Sequence, residues 1–291
     1  MKKLFISIAA VAFCLSACDK NGLDDGTVAT DGVIDYIEFL RYDEGEEAGA
    51  HSKIVYTPTF DDQGRLVKAL EQWYFADHET GELAANQYYQ TTISYDDAKH
   101  TAHYERGNGY WSYDEKNPGW TGVEVSESET VSLNDNGHIT SFREGKDTFT
   151  YKGEYLDVYD SDPTNDYWWN NTTYIWEDGD LQKMHRKNHR EEGDIYVFTY
   201  TKDLNPFGNY DIFSTATGEW IDGDTPLWAA GLFGKHSKHL VATEKAGDVD
   251  DPTVITYTYK KDSKGRISEV RRAEGEAVGG PVGGVFKIYW K

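Results

Sequence analysis

The chain is nearly free of cysteine: it has two in 291 residues, Cys14 and Cys18, both among the first twenty. Beyond them there is no material for a disulfide, a thiolate nucleophile or a cysteine-ligated metal. Methionine (2) and proline (7) are also scarce. Positive charge is short: 29 Lys and Arg stand against 51 Asp and Glu, a formal net charge of −22. A field of that sign repels nucleic-acid phosphates and anionic lipid head groups. The single basic patch, MHRKNHR (184–190), is followed at once by Glu191 and Glu192, so no nucleic-acid partner is expected. No apolar run reaches the ~20 residues that a bilayer-spanning helix needs. Neither a Gly-x-Ser-x-Gly elbow nor a His-Glu-x-x-His helix is present.

What is there begins with MKKLFISIAAVAFCLSACDK. Lys2 and Lys3 precede a twelve-residue, mainly apolar run, Leu4 to Leu15, as in a secretory leader. The run ends Leu15-Ser16-Ala17-Cys18, which resembles the bacterial lipobox, in which the cysteine is acylated and the leader is cut off before it. An ordinary leader with an incidental cysteine is the alternative. Two small residues directly before Cys18 favour lipidation, which makes Cys18 the expected lipidation site and residues 1–17 the signal peptide. Cleavage there leaves 291 − 17 = 274 residues and, without Lys2 and Lys3, a charge of −24. Residues 18–30, small, polar and acidic, read as a flexible tether. Residues 31–291 read as one domain, since no linker of any length divides them and the chain is long enough for a sizeable core.

Aromatic residues are abundant, with 21 Tyr, 12 Phe and 9 Trp, and they favour strands. Period-2 runs recur from about residue 33: QYYQTTISY (87–95), YVFTY (196–200), TYTYK (256–260) and FKIYW (286–290) each put alternate large residues on one face. About fourteen to sixteen strands can be read this way, separated by Asp/Asn/Gly clusters, which predicts an antiparallel meander. FDDQGRL (60–66), LNDNGHI (133–139) and KKDSKGRI (260–267) share one turn pattern. Asp or Asn can bond the backbone two residues on, and Gly supplies a positive φ, so these read as hairpin loops. A calcium loop would need further carboxylates at fixed positions, which none of the three provides. The stretch 205–240 lacks alternation and is expected to be a long excursion with one or two short helices, around Pro226 to Phe233, covering one end or face of the sheet.

The chemistry-bearing clusters are weak. DVYDSDPTND (157–166) and GDVDD (247–251) are acidic but fit no calcium spacing. GLFGKHS (231–237) has two residues between its glycines where a phosphate loop needs four. His100/His103, His185/His189 and His236/His239 lack a third ligand nearby in sequence. No metal or other cofactor is expected, and no catalytic residue can be named. The strongest candidates for binding are aromatic: Trp168 and Trp169 in DYWWNNTTYIW (166–176), with Trp111 and Trp120 in WSYDEKNPGW (111–120). Such rings stack on sugars, although aromatics also pack at strand ends. Adjacent Trp168 and Trp169 on a strand must face opposite sides.

With lipobox, Tyr-rich strands, Asn205-Pro206…Gly234-Lys235-His236-Ser237-Lys238 and the C-terminal YTYKKDSKGRI in hand, the chain resembles uncharacterised Bacteroidota lipoproteins that form a domain-of-unknown-function family with a porin-like β-fold. The resemblance implies an all-β protein: a large curled antiparallel sheet or barrel of consecutive hairpins, with one partly helical excursion. It transfers no catalytic residue. A lipid-facing apolar band is missing, since KALEQWYF (68–75) and KHTAHYERG (99–107) put charge on either face. The expected protein is therefore a water-soluble sheet tethered to the cell envelope, with the outer membrane as the expected location and its membrane face open. Three functions fit: a non-catalytic scaffold binding a ligand such as a glycan or a partner protein, a hydrolase of an extracellular polymer, or a structural or adhesive component.

Overall fold

A computed structural model describes residues 32–42, 49–77, 79–114, 116, 119–161, 170–188, 193–208, 225–246, 253–275 and 282–291. The first strands are β1 (Ile34–Arg41), β2 (Ser52–Phe60), β3 (Leu66–Ala76), β4 (Leu83–Asp96) and β5 (Thr101–Ser112). A two-residue β6 (Gly119–Trp120) precedes β7 (Glu124–Ser132), and a two-residue β8 (Ser141–Phe142) precedes β9 (Asp147–Lys152). Then come β10 (Tyr155–Ser161), β11 (Asn170–Glu177), β12 (Asp180–Asn188) and β13 (Gly193–Leu204). After the short helix α1 (Thr225–Ala229) follow β14 (His239–Ala246), β15 (Thr253–Lys261), β16 (Ile267–Glu274) and β17 (Val282–Trp290). The count exceeds the period-2 reading because β6 and β8 are too short to show any alternation.

All ladders are antiparallel and form a single sheet. Consecutive hairpins run from β1 to β5 and on to β7, and from β8 to β17, while β17 pairs back to β1 with Ile37 opposite Ile288. The sheet thus curls nearly into a ring, but its ladder is not closed. Between β7 and β8 the only bridge is Leu133 to Ile139. Two carboxylate bonds help to hold this seam: the Glu129 side chain on β7 accepts the backbone N–H groups of Arg143 and Glu144, both at 2.9 Å. Directly after β8, Arg143, Glu144 and Gly145 all have positive φ (53°, 58° and 82°), which ends β8 after two residues and stops its ladder with β7 from extending.

The three repeated loops are hairpin turns of one design. Asp61 Oδ1 accepts from Gln63 and Arg65 N–H (both 2.9 Å), Asn134 from Asn136 (2.9 Å) and His138 (3.0 Å), and Asp262 from Lys264 (2.8 Å) and Arg266 (3.0 Å). Gly64, Gly137 and Gly265 supply φ near 80° (78°, 80° and 81°), the region where Gly carries no steric penalty. In the two Asp loops, the second carboxylate oxygen also holds the arginine four residues on, Arg65 at 2.9 Å and Arg266 at 3.0 Å. An Asn in that place has no such oxygen, and there the residue is His138.

The core lies on the concave side. Alternation along each strand carries Ile37, Ile93, Tyr104, Met184, Val270 and Phe286 into one buried cluster. The excursion between β13 and β14 fills one end of it: Leu227, Trp228, Leu232 and Phe233 are all at most 3% exposed. This plug is tied to the rim by backbone bonds, Lys235 N–H to Glu154 O (2.8 Å), Lys238 N–H to Gly179 O (2.9 Å) and Ile139 N–H to Leu232 O (2.7 Å). The helix expected around Pro226 is present, continued by a turn to Phe233.

Candidate functional site

Away from the plug, the core-facing side of the strands is polar, aromatic and partly open. The face that carries Ala69 of β3 into the core presents Glu71, Trp73 and Phe75 next along that strand. The facing positions of β4 are Thr91, Tyr89 and Gln87, and those of β5 are Arg106, Asn108 and Tyr110. These side chains form a continuous strip. The Arg106 guanidinium lies 5.1 Å from the Tyr89 ring, Tyr89 meets Trp73 edge-on at 6.4 Å, and Trp73 stacks on Phe75 at 6.0 Å. Although they stand on the core side, Phe75 is 37% and Tyr110 55% exposed. This inner wall is therefore accessible.

Its electrostatics are unusual for so acidic a chain. Burial pushes the Glu71 carboxyl up from 4.5 to about 7, with the Arg106 guanidinium and the Trp73 indole pulling the other way. Two buried polar atoms on this wall, Ser52 Oγ and Arg106 Nε, have no hydrogen-bond partner. Glu127 stands directly opposite Arg106 and accepts a 2.6 Å bond from Tyr104 OH. Unpaired buried donors cost stability, and such places cluster at functional sites.

Of the tryptophans expected to bind, Trp111 and Trp120 do not lie on this inner wall. Trp111 and Trp120 lie on the opposite, outer face of the sheet, ring to ring at 5.1 Å, with Tyr88 at 5.2 Å and Tyr74 at 6.3 Å from Trp120. Gly109 lies beneath the Tyr88 ring, which a Cβ there would overlap. Tyr88 is 7% exposed and its hydroxyl bonds Thr121 O at 2.6 Å, so this cluster packs the β6 segment onto the wall. Gly109→Ala should therefore destabilise the fold by about 1–3 kcal/mol through overpacking, read from the urea midpoint; no change would mean that Tyr88 can swing clear. Trp168 and Trp169 lie outside the described residues. So does Cys18.

Two clefts of about 530 and 470 Å³ separate the plug from the rim, and both are bordered by Arg65 and Ala230. Arg65 is held there by Asp61 and by Asp97 (2.8 Å) and lies 4.3 Å from the Tyr95 ring. Asp180, His239 and Ser237 have the composition of a hydrolase triad, and His239 Nδ1 is 2.7 Å from Asp180 Oδ2. The Ser237 hydroxyl, however, accepts from Leu181 N–H (3.2 Å) and meets Tyr200 OH (2.9 Å). Among the described residues no bond joins it to His239, which a nucleophile–base pair requires. Among the described residues there is also no group of three His, Cys, Asp or Glu able to hold a metal.

The inner wall had a trace in the sequence. KALEQWYF alternates Ala69, Glu71, Trp73 and Phe75 on one face, but only the register shows that this face is the inner one. Sequence comparison places residues 51–269 in the family described as a domain of unknown function (DUF4595) with porin-like fold. A porin-like protein of Bacteroides uniformis has a similar crystal structure, with TM-score 0.60, 16% identity, 92% of this chain and 100% of that one covered. A porin-like protein of Bacteroides vulgatus has TM-score 0.45 at 12% identity, covering 90% of this chain and 99% of that one. No curated protein matches. With most of its length matched and its strands curled into one large, unclosed antiparallel sheet, the chain belongs to the DUF4595 family of porin-like fold.

Proposed function

We propose that this protein is a lipid-anchored scaffold of the cell envelope, held in the outer membrane through Cys18, that binds a glycan without transforming it. The observation that carries the reading is the open inner strip Arg106–Tyr89–Trp73–Phe75, with Gln87 and Asn108 beside it. Aromatic faces take the apolar side of a sugar ring, and amide and guanidinium groups take its hydroxyls. The anchor supports the orientation. Gly32 and Val33 border a cleft at the plugged rim, so a tether from Cys18 enters there, spanning at most about 50 Å over its 14 residues. The plugged end then faces the membrane and the open end faces away. Trp168 and Trp169, which lie between β10 and β11 in the sequence, are proposed as further sugar contacts.

The test is the leaderless protein, residues 26–291, on a broad glycan array. Binding should fall at least tenfold in Trp73→Ala, while Trp111→Ala and Trp120→Ala should matter little. The reverse pattern would move the site to the outer face, and no binding at all would overturn the reading. For the anchor, Cys18→Ala in the full chain should release the protein from membranes; retention would refute it. The hydrolase alternative draws support only from Glu71, and shortening of a bound glycan, abolished in Glu71→Gln, would establish it.

A further inference from the structure

We infer that the glycan taken up by the inner wall carries carboxylate groups, as an oligomer of uronic acids does, and that Arg41 recognises them. This inference rests on the inner-wall reading above and narrows its ligand. Away from the plugged rim, where Lys261 stands opposite the core residue Ile267, arginine and lysine are largely sorted between the two faces of the sheet. Arg41, Arg106, Arg186 and Arg272 each stand two residues along from a core-side residue (Phe39, Tyr104, Met184 and Val270) and share its face. Lys53, Lys68, Lys183, Lys245, Lys260 and Lys287 stand on the other face. Arg271 is the outward exception and is held by Glu269 at 2.6 Å. A guanidinium is weakly hydrated, keeps its charge when partly desolvated, and matches a carboxylate with two parallel donors.

The local geometry then favours a sugar acid. Cross-strand register places Arg272, Gly284, Arg41, Ser52 and Phe75 in one row across β16, β17, β1, β2 and β3. Gly284 has no side chain, and the Phe39 ring lies over it: a Cβ there would come within 2.5 Å of Phe39 Cε2. Phe39 is stacked flat on Phe286, centroids 4.0 Å apart and planes within 1°. Two guanidiniums thus flank an aromatic floor, and the row continues to Phe75, Trp73, Tyr89 and Arg106. From β16 to β5 there are six strand spacings, about 29 Å, room for several sugar rings in line. Of the carboxylates on this wall, Glu244 accepts from Tyr257 OH at 2.9 Å, Glu127 accepts from Tyr104 OH, and Glu71 faces Arg106. Asp194 stands opposite Arg186, Glu124 opposite Asn108, and Glu274 opposite Ile255 beyond Arg272, so none of these stands directly opposite Arg41. Arg41 is exposed at the centre of the row.

The test is calorimetric titration of residues 26–291 with oligomers of galacturonate, of glucuronate and of mannuronate, alongside neutral cello- and xylo-oligosaccharides of the same length. At least one acidic oligomer should bind and the neutral ones at least tenfold more weakly. Its affinity should drop several-fold between 50 and 200 mM salt. Arg41→Gln should lower it at least tenfold with the thermal midpoint unchanged. Neutral oligomers binding as well as acidic ones, or acidic binding indifferent to Arg41→Gln, would overturn the carboxylate inference and leave the glycan-binding reading standing. Binding of none, neutral or acidic, would overturn the inference together with the reading beneath it.

Discussion

Phe233→Ala is expected to cost about 3–5 kcal/mol of unfolding free energy, the range for deleting a fully buried aromatic side chain. Phe233 has no exposed surface and sits between two other rings, Phe149 of β9 at 5.1 Å and Trp228 of the plug at 5.0 Å. The change leaves a cavity where the plug meets the wall. It falls beside the β7–β8 seam, where the described ladder is interrupted, because Leu232, next in the chain, accepts the Ile139 N–H that helps hold the seam. Neighbouring strands cannot close the gap as they would in a continuous sheet. The measurement is urea denaturation, in which the midpoint should fall with little change in slope. A loss under about 1 kcal/mol would show that the plug is draped over the core and does not form part of it.

The second large effect is a pH dependence. Glu71 is 6% exposed, and its carboxyl is raised from 4.5 to about 7 in the folded protein. Between these values the native state keeps a proton that the unfolded chain has lost, so stability falls as pH rises through this window. Below about 4.5 both states are protonated, and above about 7 both are charged and the full cost of the buried charge remains. At 1.36 kcal/mol per pH unit the cost reaches at most about 3 kcal/mol. Glu71→Gln, which keeps shape and removes the charge, should be more stable than the parent above pH 7. The difference between the two proteins should shrink towards zero as pH falls from 7 to 4.5. Denaturation curves across that range check this. Parallel pH profiles would mean that Glu71 is charged throughout, and a less stable Gln variant at pH 8 would mean that its attraction to Arg106 outweighs burial.

The turns and strands were legible because each rests on local chemistry. Asp61 with Gly64, Asn134 with Gly137 and Asp262 with Gly265 close their loops with bonds two and four residues along the same chain, so the motif alone specifies them. Tyr196 and Phe198, or Tyr257 and Tyr259, reveal strands because a pleated backbone has a strict period of two. The excursion was legible for the opposite reason, its lack of period. What alternation cannot say is which face turns inward once polar residues occupy both. Glu71 and Arg106 look in sequence like solvated charges. Nor does alternation show that Trp111 and Trp120 share the outer face, ring against ring where β6 pairs with β5.

From sequence alone came the all-β class, the succession of hairpins, the position of the helical segment and the leader-like start, all properties of neighbouring residues. Only the tertiary structure decided the rest. Pairing of β17 with β1 joins residues about 250 apart and curls the sheet. Three left-handed residues at 143–145 keep β7 and β8 from completing it. Cross-strand register assembles Arg272, Arg41, Ser52 and Phe75 into one row from four separate strands. Such a row depends on how many residues each bulge inserts and where each turn begins, quantities set by packing across the core and not by any residue's nearest neighbours.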